Sequence, residues 1–195
     1  MMKLVFATNN QHKIYEVRNM LGENFELVSL DDIGCTEEIA ETSKTLEGNA
    51  SQKAHYIYDN YGLNCFADDT GLEVEALGMA PGVYSARYAG PQRNSIDNMN
   101  RLLAELDKIK NRKARFRTVI SLIINGNEML FEGIVDGEIL HQPIGQLGFG
   151  YDPIFRPEGF STSFAEMDLV LKNSISHRGR AFEKLIHYLK NNYII

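Results

Sequence analysis

Residues 67–90 read A-D-D-T-G-L-E-V-E-A-L-G-M-A-P-G-V-Y-S-A-R-Y-A-G. The stretch follows the apolar run Cys65-Phe66-Ala67, so Asp68 and Asp69 are expected at the end of a buried strand. Thr70 and Gly71 are expected to turn the chain. Leu72, Val74 and Ala76 then alternate with Glu73 and Glu75, the period of a second strand. Adjacent acids followed by a hydroxyl and a glycine suit a hard metal with phosphate cargo. The same four residues are also plain turn formers, because Asp and Gly relieve backbone constraints. Neighbours on an extended strand point to opposite faces, so both acids can reach one metal only if the chain has begun to turn. The expectation is one inner ligand and one supporting carboxylate.

Working towards the N-terminus, Glu26–Leu30 reads as a strand, and residues 31–45 form an acidic connector. A helix follows from about Thr45 to Tyr61, with Leu46, Ala50, Lys53 or Ala54, Ile57 and Tyr61 at helical spacing and Thr45 as its cap. Glu41 stands just before it, and the residues alone give it no role. Lys3–Ala7 reads as a short buried strand ended by Thr8-Asn9-Asn10. The next helix, carrying Ile14, Val17, Met20 and Leu21 on one face, stops near Gly22. Thr8, Asn9, Asn10, Gln11, His12 and Lys13 therefore lie where a strand hands over to a helix. Free backbone N–H groups there favour anions, and Lys13 is one turn in. A simple Asn or Thr cap explains the same residues.

Towards the C-terminus, Pro81-Gly82 marks a turn, and Ser95 caps a helix to about Lys110. Its buried stripe is Ile96, Met99, Leu102, Leu103, Leu106 and Ile109. Phe116–Ile124 is rich in β-branched residues, and Asn125-Gly126 and Asp136-Gly137 signal hairpins, giving a three-strand meander over about 114–142. Residues 145–155, G-Q-L-G-F-G-Y-D-P-I-F, lack the third glycine and the flanking unit of a dinucleotide loop. Their glycines could admit a flat ligand with Phe149 stacked on it, or Phe149 could be core. Phe164–Leu171 reads as a short helix. Ser176 caps the last one, whose buried face is Ala181, Phe182, Leu185, Ile186 and Leu189. His177 and Arg178 then fall in a first turn, where cations oppose the helix dipole. An anionic or electron-rich ligand, or an acidic loop, would account for them.

With 195 residues, 44% hydrophobic and 24% charged, the chain is expected to form one α/β domain. A net charge of −6 argues against a protein that coats nucleic acid. Residues 16–75 hold 14 acids against 3 bases, and residues 91–118 hold 8 bases against 3 acids. The basic run reads as a solvated face. Cys35 and Cys65 have no metal spacing, the first apolar run is only Leu4–Ala7, and no stretch has membrane-spanning length. A reducing cytoplasm is the expectation. The Asn49-Ala50-Ser51 glycosylation match carries no meaning without secretion.

Six motifs stand in order: T-N-N-x-x-K, E-T-x-x-T-x-x-x-N-A-x-x-K-A, A-D-D-T-G-L, P-G-V-Y-S-A-R-Y-A-G, G-F-G-Y-D-P-I-F and K-N-x-I-S-H-R-G-x-A. Together they resemble the non-canonical purine nucleoside triphosphate pyrophosphatase family, the inosine/xanthosine triphosphate pyrophosphatases, from Leu4 to Leu189. The resemblance implies Mg²⁺-dependent hydrolysis of ITP, dITP and XTP to monophosphate and pyrophosphate, clearing them from the nucleotide pool. It implies an elongated mixed sheet flanked by helices, with two lobes and a central cleft, and a homodimer. By resemblance, Thr8–Lys13 form the phosphate loop, Glu41 and Asp69 hold the metal, and Asp69 is also the proton acceptor. Lys53 faces the phosphates and Thr70 touches substrate. Phe149, Gly150, Tyr151 and Asp152 form the nucleoside loop, and Lys172, His177 and Arg178 the base-recognition end. The chain departs from the pattern at Gly48, where many members carry Glu, at Ser43 in place of Gly, and at Met79 in place of Gly.

Three other classes fit the residues less well. An aspartyl-phosphate phosphatase separates its two acids by one residue, whereas Asp68 and Asp69 are adjacent. A nucleotide sensor without turnover has no need of Glu41 and Asp69. A pyrophosphatase for pyrimidine or modified bases would not call for the His177-Arg178 pair.

Overall fold

The computed structural model describes residues 2–20 and 25–193, so the expected helix end at Leu21 and Gly22 lies outside the described residues. The chain divides into two compact units: 1–69, 118–133 and 178–195 in the first, and 70–117 and 134–177 in the second. Among the described residues, seven strands form a mixed sheet flanked by helices.

The first unit begins with a crossover pattern. Strand β1 (Met2–Phe6), helix α1 (Gln11–Met20), strand β2 (Phe25–Val28), helix α2 (Leu46–Tyr61) and strand β3 (Cys65–Val74) follow in order. β1 pairs parallel with both β2 and β3, with Val5 opposite Cys65 and Phe6 opposite Phe66. Parallel neighbours need a long return connection, which the two helices supply. Such strands are covered on both faces, so their sequences run apolar without alternating.

Side-chain alternation sorts the first unit's core. Leu4, Phe6 and Phe66 pack with Ile14 and Val17 of α1 and with Phe182 and Leu185 of helix α5 (His177–Tyr193). Phe6 stacks on Phe66 at 4.5 Å, and Phe182 meets both rings edge-on. Val5, Ala7, Cys65 and Ala67 face the other way, onto Ala54 and Ile57 of α2. By the same period of two, Asp68 continues the Phe66 face and Asp69 the Ala67 face.

Thr70 and Gly71 do not turn the chain: β3 runs unbroken to Val74. Gly71 has another use. A Cβ there would lie 2.7 Å from the carbonyl oxygen of Gly82, on strand β4 (Ala80–Gly82), which pairs antiparallel with β3. Pro81-Gly82 is thus part of a short strand.

In the second unit, helix α3 (Ser95–Glu105) is capped by Asn94, not Ser95, because the Asn94 side chain accepts from the N–H groups of Ile96 and Asp97. It ends before the expected Lys110, and Ile96 is exposed, since Met99 and Leu102 already fill the core side. Strands β5 (Lys113–Ile124) and β6 (Asn127–Ile139), whose 118–133 portion belongs to the first unit, join through Asn125-Gly126, both at positive φ as a tight hairpin turn requires. Asp136-Gly137 makes no second turn. Gly137 sits inside β6, where a Cβ would lie 2.3 Å from the Arg156 carbonyl oxygen on strand β7 (Phe155–Pro157). Its missing side chain permits close backbone approach. The third strand of the expected meander is therefore β7, beyond the glycine loop. The short helix expected over 164–171 resolves into a 3-10 turn, Phe164–Glu166, and helix α4 (Leu169–Ile175) capped by Asp168.

Candidate active site

The first unit gathers charged residues around Asp68 and Asp69, in the middle of β3. Asp68 is fully buried, and Lys13 of α1 donates to its Oδ1 at 2.9 Å. Arg178, in the first turn of α5, is 2% exposed, lies 3.5 Å from Asp68 Oδ2 through Nε, and also pairs with buried Glu16 of α1. Burial alone would raise the Asp68 carboxyl, but Lys13, Arg178 and Lys53 outweigh it and hold Asp68 well below the usual carboxylate range. Lys13 moves down from its ordinary value, mainly through burial.

Asp69 points to the other face, as alternation requires. Asn49 of α2 donates to Asp69 Oδ2 at 2.9 Å. Burial raises the Asp69 carboxyl, with Glu41 adding to the rise and Lys53 and Lys13 opposing it. Lys53 lies one helical turn after Asn49. Its ammonium donates to the Asp68 carbonyl oxygen at 2.7 Å and pairs with Glu41. Burial would lower Lys53, yet Asp69, Glu41 and Asp68 more than offset it, so its proton is held more tightly than usual. The two acids thus differ in kind. Asp68 is a buried anchor for Lys13 and Arg178, while burial, with Glu41 nearby, makes Asp69 costlier to ionise.

In the N-terminal loop, Asn10 Oδ1 accepts from the N–H groups of His12 and Lys13 at 3.0 and 3.2 Å, and Thr8 Oγ1 accepts from Asn10 N–H at 3.2 Å. Asn10 therefore caps α1. Asn9, Asn10, Gln11 and His12 are exposed, while Thr8 and Lys13 are half-buried.

The second unit holds the remaining candidates. Lys172 and Asp152 form a buried pair at 2.7 Å, each side chain 4% exposed. Asp152 Oδ2 also accepts from Phe149 N–H at 2.8 Å. A Cβ at Gly148 would fall 2.1 Å from that oxygen, so the glycine lets the loop close over Asp152. Lys172 Nζ lies 5.0 Å from the centre of the half-buried Phe149 ring. His177 is buried and stacks on Phe116 at 4.5 Å. Tyr151 is core, its hydroxyl donating to the Ser85 carbonyl oxygen at 2.9 Å. Gly150 and Thr70 are half-buried.

Sequence pattern sets these residues apart from the hydrophobic stripes, and the family resemblance groups Arg178 with the base end. In the structure its guanidinium pairs with Glu16 and Asp68. Glu16 and Asn49 are absent from the sequence-based set. Glu16 is three residues after Lys13, beside Val17 of the apolar face, and Asn49 is four before Lys53. A polar residue bordering the apolar face of a helix was the available signal.

These features define a hydrolase-like acid and lysine cluster on an α/β scaffold. The sequence profile of the Ham1 family matches residues 4–188, and the chain belongs to that family. It is 57% identical over 190 residues to the dITP/XTP pyrophosphatase of Flavobacterium psychrophilum, covering 97% of this chain and 100% of that protein. It is 44% identical to the dITP/XTP pyrophosphatase of Thermoanaerobacter pseudethanolicus, covering 96% of each. Among solved structures, a HAM1 protein from Coxiella burnetii superposes with a TM-score of 0.91 at 36% identity, covering 98% of this chain and 100% of that one. The Staphylococcus aureus Ham1 protein gives 0.89 at 35%, covering 97% and 98%.

Proposed function

We propose that the protein hydrolyses non-canonical purine nucleoside triphosphates, ITP, dITP and XTP, to the monophosphate and pyrophosphate. The observation that carries this is the pair of lysines, Lys13 and Lys53, held by acids beside Asp69. Fixed cations next to a carboxylate that burial makes more basic are what attack on a polyphosphate needs. The dITP/XTP pyrophosphatases that the chain resembles over their full length support the same reading.

Glu41 and Asp69 suit Mg²⁺, a hard cation that takes one or two carboxylates and completes its shell with water and phosphate oxygens. Among the described residues no group of three His, Cys, Asp or Glu is placed to hold a metal, so a metal here would draw its remaining oxygens from nucleotide and water. When bound, Mg²⁺ would supply charge neutralisation on the phosphates.

The chain's own residues divide the work. Lys13 and Lys53 bind the phosphate tail and offset charge growing on the leaving pyrophosphate. Asp69 accepts the proton of the attacking water, and Thr8 and the first turn of α1 orient the phosphates. Asp68 takes no proton, because Lys13 and Arg178 keep it ionised. Lys13 and Arg178 also occupy its two oxygens, and it faces away from Asp69, so it is not placed as a phosphatase nucleophile. In the second unit, Phe149 offers a ring for the base, and Lys172 and His177 offer donors for a 6-keto oxygen, which ATP lacks. A site built on such hydrogen bonds can reject the mismatched base by roughly 10⁴-fold. Rejection of GTP must act at the 2-position.

Cytoplasmic location and a homodimer belong to the same proposal, supported by the resemblance. No described helix is long and apolar enough to cross a membrane. A nucleotide panel with separate pyrophosphate and orthophosphate detection, with and without Mg²⁺, tests the reading. Pyrophosphate from ITP, dITP and XTP, with ATP and GTP slow, is expected. Orthophosphate as the first product would refute it, and binding without turnover would point to a sensor.

A further inference from the structure

Asn49 is completely buried, and both ends of its amide are used. Its Oδ1 accepts from the Ser43 N–H at 2.9 Å, and its Nδ2 donates to Asp69 Oδ2 at 2.9 Å. The amide orientation is fixed by its partners, since a backbone N–H can only donate and an ionised carboxylate only accept. Ser43 follows Glu41 by two residues, so one side chain ties the segment carrying Glu41 to the strand carrying Asp69. Lys53, a turn later, makes a second tie of the same form, from Glu41 to the Asp68 carbonyl.

Gly48 completes the seat. A Cβ on residue 48 would lie 2.0 Å from Ser43 Oγ and 2.7 Å from Ser43 Cβ. Two of the three departures from the family pattern are therefore neighbours in space: the Ser43 side chain occupies room that the missing Gly48 side chain leaves. Thr45 N–H donates to Ser43 Oγ at 3.2 Å, which locks the segment onto the first turn of α2.

We propose that Asn49 is a positioning residue of the hydrolytic site, fixing the plane of the Asp69 carboxylate and its registration against the segment that bears Glu41. This rests on the reading of Asp69 and Glu41 given above. An apolar side chain would fill the same space at less desolvation cost, so a buried amide aimed at a carboxylate serves orientation. Partners that orient metal-binding carboxylates are typically worth about 10–100-fold in affinity or activity.

The test compares Asn49→Ala, Asn49→Asp and Asp69→Asn with the parent enzyme. Asn49→Asp keeps the acceptor for Ser43 but turns an oxygen, in place of a donor, towards Asp69. Both Asn49 variants should fold and lose about 10–100-fold in kcat, with KM for ITP changed by less than about threefold. Calorimetry with the non-cleavable α,β-imido analogue of ITP supplies a readout apart from turnover. Mg²⁺ binding to the enzyme–analogue complex should weaken about tenfold, with analogue binding in the absence of Mg²⁺ unchanged. Folded Asn49 variants with parental kcat and Mg²⁺ affinity would overturn the proposal, as would failure of both to fold, which would make Asn49 purely structural. Parental activity in Asp69→Asn would instead sink the underlying reading of Asp69.

Discussion

Asp69→Asn should fold like the parent and release pyrophosphate from ITP at least about 10³ times more slowly, the scale of a lost general base in an electrostatic site. The substitution is close to isosteric. The carbonyl oxygen of the introduced amide can still accept from Asn49, so the hydrogen bond at 2.9 Å need not be lost. What disappears is the negative charge and the proton-accepting lone pair. Steady-state kinetics on ITP, with circular dichroism and thermal unfolding to confirm the fold, checks this. Turnover within about tenfold of the parent in clean protein would remove Asp69 from the proposed mechanism.

Arg178→Ala should show its largest effect on stability, about 3–5 kcal/mol, the cost of removing one partner from a buried ionic cluster. Arg178 is 2% exposed, and the Glu16 and Asp68 side chains beside it are 6% and 0% exposed. Removing the guanidinium leaves two buried carboxylates with less compensation. Asp68 retains Lys13, while Glu16 loses its ion pair to α5. Pairing Arg178→Ala with Glu16→Gln should recover part of the loss, because the carboxylate charge goes with the arginine. Urea unfolding of the two variants measures it. A loss below about 1 kcal/mol would mean that the cluster is solvated and paired only loosely. On the folded fraction, the ITP-to-ATP rate ratio tests the resemblance-based role at the base end. Parental selectivity would leave Arg178 as an organiser of Asp68 and Lys13.

Much of the first unit was legible from residue pattern. The apolar runs of β1 and β3, the Thr45 cap and the stripe of α2 are local signals, and the cap accepts from Gly48 N–H as the capping rule requires. Asp-Asp-Thr-Gly misled because its residues favour turns, whereas pairing with β1 and β4 holds the segment extended. Asp136-Gly137 misled in the same way: the glycine was needed for approach to Arg156, a contact made across the sheet. Asn94 took the capping role expected of Ser95, a one-residue shift that spacing alone does not resolve. The acids and lysines of the candidate site were found largely through family resemblance. Their pairing was not, since Glu16 and Arg178 are 162 residues apart and no periodicity links them.

The central claim is that water attacks the α-phosphorus of a purine triphosphate beside Asp69, with pyrophosphate leaving intact. Turnover of ITP in ¹⁸O-labelled water, followed by mass spectrometry of both products, tests it most directly. One label in each IMP and none in pyrophosphate is the predicted result. Label in pyrophosphate, or in released orthophosphate, would place the bond cleavage elsewhere and contradict the account.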